Sequence, residues 1–120
     1  MKADIQQFIG LLFASRDYAH KAHLATDSYA QHMALGAFYE DIIGLADGLA
    51  EAWMGRNLQK IGEIPTINPP KGEPEKVMKR LLEVVQDTRD FVGDDTVLSN
   101  IIDEIEALYS STIYKLKFLK

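Results

Sequence analysis

Apolar residues recur along this chain at helical spacing in four separate stretches. From about Ala3 to Ala25, Ile5, Phe8, Ile9, Leu12, Ala19 and Ala22 follow the three-and-four step of an amphipathic helix rather than the alternation of a strand. The segment Thr26–Ser28 then offers three N-cap residue types, and Ser28 with Gln31 three places later fits a capping box. A second helix is therefore expected over about 28–54, antiparallel to the first across a turn of a few residues. Its stripe is Leu35, Tyr39, Ile42, Ala46, Leu49 and Trp53, with Gly55 as the expected left-handed stop. At ~1.5 Å per residue it spans about 40 Å, a length that suits a bundle.

Residues 56–72 break the pattern with Pro65, Pro69, Pro70 and two glycines, Gly62 and Gly72. Fully extended, such a segment reaches roughly 55 Å. That is enough to travel the length of the second helix and start the third at the opposite end; a slack loop, or a short helix around Gln59 to Ile61, also fits. The third helix, about 73–92, opens with Pro74 between Glu73 and Glu75, where a missing N–H and negative charge suit a helix start. Val77, Leu81, Val85 and Val92 form its apolar face, Met78, Leu82 and Phe91 its margins, and Gly93 its end. The fourth, about 95–118, carries Leu98, Ile101, Ile105, Leu108, Thr112, Leu116 and Leu119. The expected fold is one all-α domain over 1–120, a four-helix bundle with one long connection between helices 2 and 3.

Composition narrows the function classes. With 47% hydrophobic residues in 120, a core can form without staples, and the absence of cysteine excludes disulfides, thiolate metal ligands and a cysteine nucleophile. No signal-peptide pattern and no run of 18 apolar residues is present, so a soluble, cytoplasmic protein with no membrane partner is expected. A net charge of −5 argues against a dedicated binder of nucleic-acid backbone. The local exception begins at Ala107, beyond which there is no acid while Lys115, Lys117 and Lys120 close the chain. These lysines suit a helix C-terminal dipole, and DNA is the partner they could serve. No phosphate-cradling glycine loop, HExxH or GxSxG motif occurs.

The chemistry-bearing residues gather between His20 and Gly55, which holds all three histidines and the sole tryptophan. Wound at ~100° per residue with His32 at zero, Gly36, Glu40, Ile43, Asp47 and Glu51 fall between zero and about 100°, beside the buried stripe. His20 and His23, on one face of the first helix, come level with His32 across the turn. Asp47 and Glu51, one turn apart, suit a shared ion, yet Asp47 stands about 22 Å along the helix from His32. Metal binding by His20, His23, His32, Asp47 and Glu51 therefore requires a two-fold axis that brings one subunit's histidines to the partner's carboxylates. Gly36, Gly44 and Gly48, with Ala37, are expected on an outer helix face open to close backbone approach, and so to homodimer contact.

The order His20, His32 twelve residues later, Asp47 fifteen further and Glu51 four more, with Tyr39 seven after His32 and AEAWMG following, resembles Dps, the mini-ferritins. The resemblance covers His20 to Gly55 closely and the rest by helix pattern. It implies a ferritin-like bundle, iron as the metal without organic cofactor, a ferroxidase site shared between two-fold-related subunits, and a homo-oligomer, dimer or dodecamer. Gly36 stands where Dps proteins usually carry an acidic ligand, and the lysine-rich N-terminal tail of many of them is absent. HLATDSYAQH also resembles small tailed-phage proteins. The alternative is a non-catalytic helical-bundle oligomer or partner-binding protein that keeps the fold without the metal chemistry.

Overall fold

Three of the four α-helices begin at a side-chain cap, and the remaining one begins at Pro74. In the computed structural model, which describes residues 4–120, α1 is Ile5–Ala25, α2 Tyr29–Asn57, α3 Pro74–Thr88 and α4 Thr96–Phe118, with a 3-10 turn over Arg89–Val92. No strand occurs among the described residues. Asp4 caps α1 by accepting from the Gln7 N–H at 2.9 Å, and Asp95 caps α4 by accepting from the Val97 and Leu98 N–H groups. The expected first-helix residue Ala3 lies outside the described residues.

Two expected helix ends move. Helix α2 runs through Gly55, and the left-handed residue is Leu58 at φ 52°, whose N–H donates to the Met54 carbonyl. Gln59 N–H donates to the same oxygen at 3.3 Å, so the stop is set by which carbonyls need closing rather than by the nearest glycine. Helix α3 tightens at Arg89, whose guanidinium turns inward to the Ser99 carbonyl at 3.0 Å, to Asp103 at 2.8 Å and to Glu106.

The long connection climbs the bundle. At the start of α1, Gln6 Nε2 donates to the Ile61 carbonyl; a helix length onward, the Tyr18 hydroxyl donates to the Gly72 carbonyl, both at 2.8 Å. Between them the chain presses on Gly10, where a Cβ would stand 2.7 Å from the Pro65 oxygen and 3.1 Å from Ile67 Cδ1. Helix α3 therefore starts at the end where α2 started, and Phe8 meets Phe91 at the other end, ring centroids 5.1 Å apart. The α1–α2, α2–α4, α3–α4 and α1–α3 neighbours are antiparallel, and the molecule measures 45 × 25 × 23 Å. Because the connection covers α1 from outside, Gly10, Leu11 and Ala14 are buried as well as the core-facing Ile9 and Leu12.

The core holds most of the expected stripe with a shift on α2 and α4. Leu35, Ile42, Ala46 and Leu49 are buried, but Phe38 joins them, while Tyr39 and Trp53 are half-buried. On α4, Ile102 and Tyr109 occupy the centre, and Ile101 and Leu108 lie at its margin. Phe38 and Tyr109 meet edge to face at 4.9 Å. The Tyr109 hydroxyl donates to Ser15 Oγ at 2.7 Å, and Ser15 donates in turn to the Leu11 carbonyl, which satisfies the two buried hydroxyls.

Candidate functional site

The turn between α1 and α2 is closed by side chains. Ser28 Oγ accepts from the Gln31 N–H at 3.2 Å, the Ser28 N–H donates to Thr26 Oγ1 at 3.1 Å, and the Thr26 hydroxyl donates to Gln31 Oε1 at 2.6 Å. Ser28 caps α2 as expected, with Thr26 inserted as a relay in place of a direct reciprocal bond. This fixes the last turns of α1 against the first turns of α2, and so fixes where the three histidines sit.

His23 and His32 clasp the hairpin. Their rings stack at 3.7 Å between centroids and 17° between planes. Nδ1 of His23 lies 2.5 Å from the His32 carbonyl oxygen, and Nδ1 of His32 lies 2.8 Å from the His23 carbonyl oxygen. A carbonyl only accepts, so each Nδ1 carries the proton, and in the neutral rings Nε2 is the free lone pair. His20 stacks on Tyr39 at 4.2 Å and 10°, while Tyr39 presents its edge to His23 at 5.3 Å. All four rings are half-buried.

Gly36 belongs to this clasp. A Cβ there would stand 2.9 Å from His23 Cε1 and 3.0 Å from Nδ1, closer than real Cβ contacts. The glycine expected on an outer face instead seats an imidazole. Gly44 and Gly48 are exposed with open space around them, as expected.

A family described as a family of unknown function (DUF5856) matches residues 23–116. The chain belongs to it. An uncharacterised 14.6 kDa protein in the mobD-ri intergenic region of Enterobacteria phage T4 is 28% identical over 116 residues, 96% of this chain and 88% of that protein. No solved structure matches. The resemblance to small phage proteins is thus upheld; neither match is to a mini-ferritin.

Within this family member, His20, His23 and His32 come together, whereas Asp47 and Glu51 are exposed further along α2. Among the described residues no three His, Cys, Asp or Glu side chains are grouped to hold a metal ion in one chain. The separation along the helix is the one that spacing required.

Two further features flank the site. A groove of about 880 Å³ runs between the second half of α1 and the connection, lined by Tyr18, Lys21, Ala22, Ile67 and Pro70 among others. Burial pushes the Tyr18 phenol above its ordinary range. Near the end of α4, Tyr114 and Phe118 lie 5.7 Å apart, and Lys117 stands 5.7 Å from the Phe118 centroid. No described helix is long and apolar enough to cross a membrane.

Sequence reasoning missed the pairing of His23 with His32 and the reason for Gly36. A signal existed: two histidines flanking a capped turn, with a glycine one turn beyond the second.

Proposed function

We propose that this chain is a self-associating helical bundle that acts through its surfaces rather than through a reaction centre, with its histidines serving to fasten the α1–α2 hairpin. The observation that supports this most is the distribution of apolar surface. The core is closed by 19 buried apolar side chains in a single cluster, yet several large apolar residues stay exposed, among them Tyr29 at 76% and Leu58 at 89%. Contiguous apolar surface marks interaction sites, and all but one of the exposed large apolar residues fall toward the two ends of the bundle. The test is mass by light scattering across a micromolar-to-millimolar series. Species at multiples of 13.5 kDa are expected, and a monomer throughout would overturn the reading.

A second reading is favoured by one specific observation: neither clasp histidine has a hydrogen bond at Nε2 among the described residues. On this reading the bundle is ferritin-like and resembles Dps, consistent with its single long crossover. Iron or another divalent metal would bind between two-fold-related subunits, held by His20, His23 and His32 of one subunit with Asp47 and Glu51 of the other, with residual ferroxidase activity. Anaerobic titration with ferrous iron, then admission of oxygen, tests it. Binding no stronger than in a His32→Ala/Glu51→Ala variant would sink it.

A further inference from the structure

The large exposed apolar side chains sit at the two ends of the long axis. Leu24, Tyr29, Met33, Tyr114, Phe118 and Leu119 lie at the end made by the α1–α2 turn and the last turns of α4, the head. Leu58 and Val97 lie at the opposite end, the tail, and Phe13 alone is on a flank. The head residues come level across two helices. Phe38 of α2 touches Tyr109 of antiparallel α4; Tyr29 lies nine residues before the one and Phe118 nine after the other, about 14 Å along each helix. Met33 and Tyr114, five residues from the same contact, come level in the same way.

Charge separates the ends. The head carries Lys115, Lys117 and Lys120 beyond the last acid of α4, and with Lys21, Lys71 and Lys76 these outnumber the acids of the α1–α2 turn and the α3 start, Asp27, Glu73 and Glu75. At the tail, Arg56 is taken by Asp95, and Arg89 by Asp103 and Glu106, while three acids, Asp87, Asp90 and Asp94, against one cation, Lys60, join no ion pair among the described residues. Leu58 adds a separate indication. An L side chain at positive φ is disfavoured, and Asn or Gly would hold that cap at lower cost, yet a leucine stands there almost wholly in solvent.

We infer that copies of this chain associate head to tail, the apolar, lysine-bearing end of one seating on the Leu58 and Val97 end of the next, beside Asp87, Asp90 and Asp94. Head-to-head contact would oppose one surplus of cations to another, and tail-to-tail contact one surplus of acids to another. Because the two surfaces differ, the contact is heterologous and propagates to a ring or a filament. The inference rests on the self-association reading above and gives it a geometry.

The test uses two surface variants of the full chain, each checked for an unchanged helical spectrum. A head variant carries Tyr29→Ser, Lys117→Glu and Phe118→Ser; a tail variant carries Leu58→Asn, Asp94→Lys and Val97→Ser. Each alone is expected to be monomeric where the parent chain is associated, and an equimolar mixture to form a dimer at twice 13.5 kDa and nothing larger, since each partner has one live end. Raised salt should weaken that dimer. If the head variant misfolds, Lys117→Glu with Lys120→Glu replaces it and should still lower association. Association unchanged in both variants would overturn the head-to-tail geometry while leaving self-association standing, as a contact through Gly44 and Gly48 would predict. A parent chain that is monomeric throughout overturns both. A shift of duplex DNA mobility lost in the head variant, with association unchanged, would assign the lysines to nucleic acid and overturn the inference.

Discussion

The imidazole of His23 rests on the α-carbon of Gly36, so close that a methyl group there would stand 2.9 Å from its Cε1. Replacing Gly36 with alanine should push the ring off His32 and lower stability by about 1–3 kcal/mol, the usual range for overpacking. Gly44→Ala and Gly48→Ala meet open space and should each raise stability by about 0.5–1 kcal/mol through helix propensity. Thermal melts of the three variants in dilute solution give the comparison, and equal behaviour of all three would contradict it.

The clasp also sets the histidine tautomers. Because both Nδ1 atoms face carbonyl oxygens, long-range proton–nitrogen spectra should show His23 and His32 protonated at Nδ1 when neutral, the minority form of free imidazole. Nε2-protonated rings would show that the paired bonds do not form in solution.

Inside the bundle, Ser15 and Tyr109 satisfy one another unequally. Ser15→Ala strands a buried phenol and should lower stability by about 1–3 kcal/mol; Tyr109→Phe leaves Ser15 bonded to Leu11 and should lower it by about 1 kcal/mol. The double variant should fall short of the sum, a coupling that denaturant melts of the four proteins measure.

Two phenols, Tyr109 buried and Tyr18 half-buried, make stability sensitive to alkali. Burial raises the Tyr109 and Tyr18 phenols above their unfolded value, near 10. Stability they contribute is therefore complete below about pH 10 and lost as pH rises through the higher folded values. Tyrosinate absorbance should report Tyr109 ionising only as the helical signal falls, and Tyr109→Phe should shift the alkaline unfolding limb upward.

At the other end of the scale, the Arg56 guanidinium and the α4 cap N–H groups hold the Asp95 carboxyl below its ordinary range. Its stabilising effect is present above the unfolded value, about 3.9, and is lost as pH falls through the lower folded one. Acid melts of Asp95→Asn should show a shallower decline over that window than the parent chain.

Gly10 sets the fit of the connection. Gly10→Ala should lift Pro65 and Ile67 from α1, and limited trypsin digestion should then cut at Lys60 and Lys71 several-fold faster while the helices persist. Unchanged cutting would mean that the connection is held elsewhere.

The sequence by itself determined the helices, their caps and the antiparallel hairpin, because these depend on spacing and local hydrogen bonding. Ser28 caps α2 as its residue type required, and three cap types in a row, Asp94, Asp95 and Thr96, marked the start of α4 without saying that Asp95 is the one used. It also determined that Asp47 and Glu51 cannot reach His32 in one chain, since helix rise alone sets that distance. Which of two adjacent residues faces the core was not legible: Ile101 against Ile102, and Leu108 against Tyr109, differ by one helical step, and the choice depends on where α2 and α3 lie. Gly55 looked like a stop because a glycine marks what the backbone can do, not which carbonyls await a donor. Only the tertiary structure decided the path of 58–73, which is held by Gln6, Gly10 and Tyr18, residues distant in sequence and unremarkable in type. It likewise decided that Gly36 is a seat for His23: a glycine's purpose lies in what approaches it, and here that is a ring thirteen residues away on the neighbouring helix.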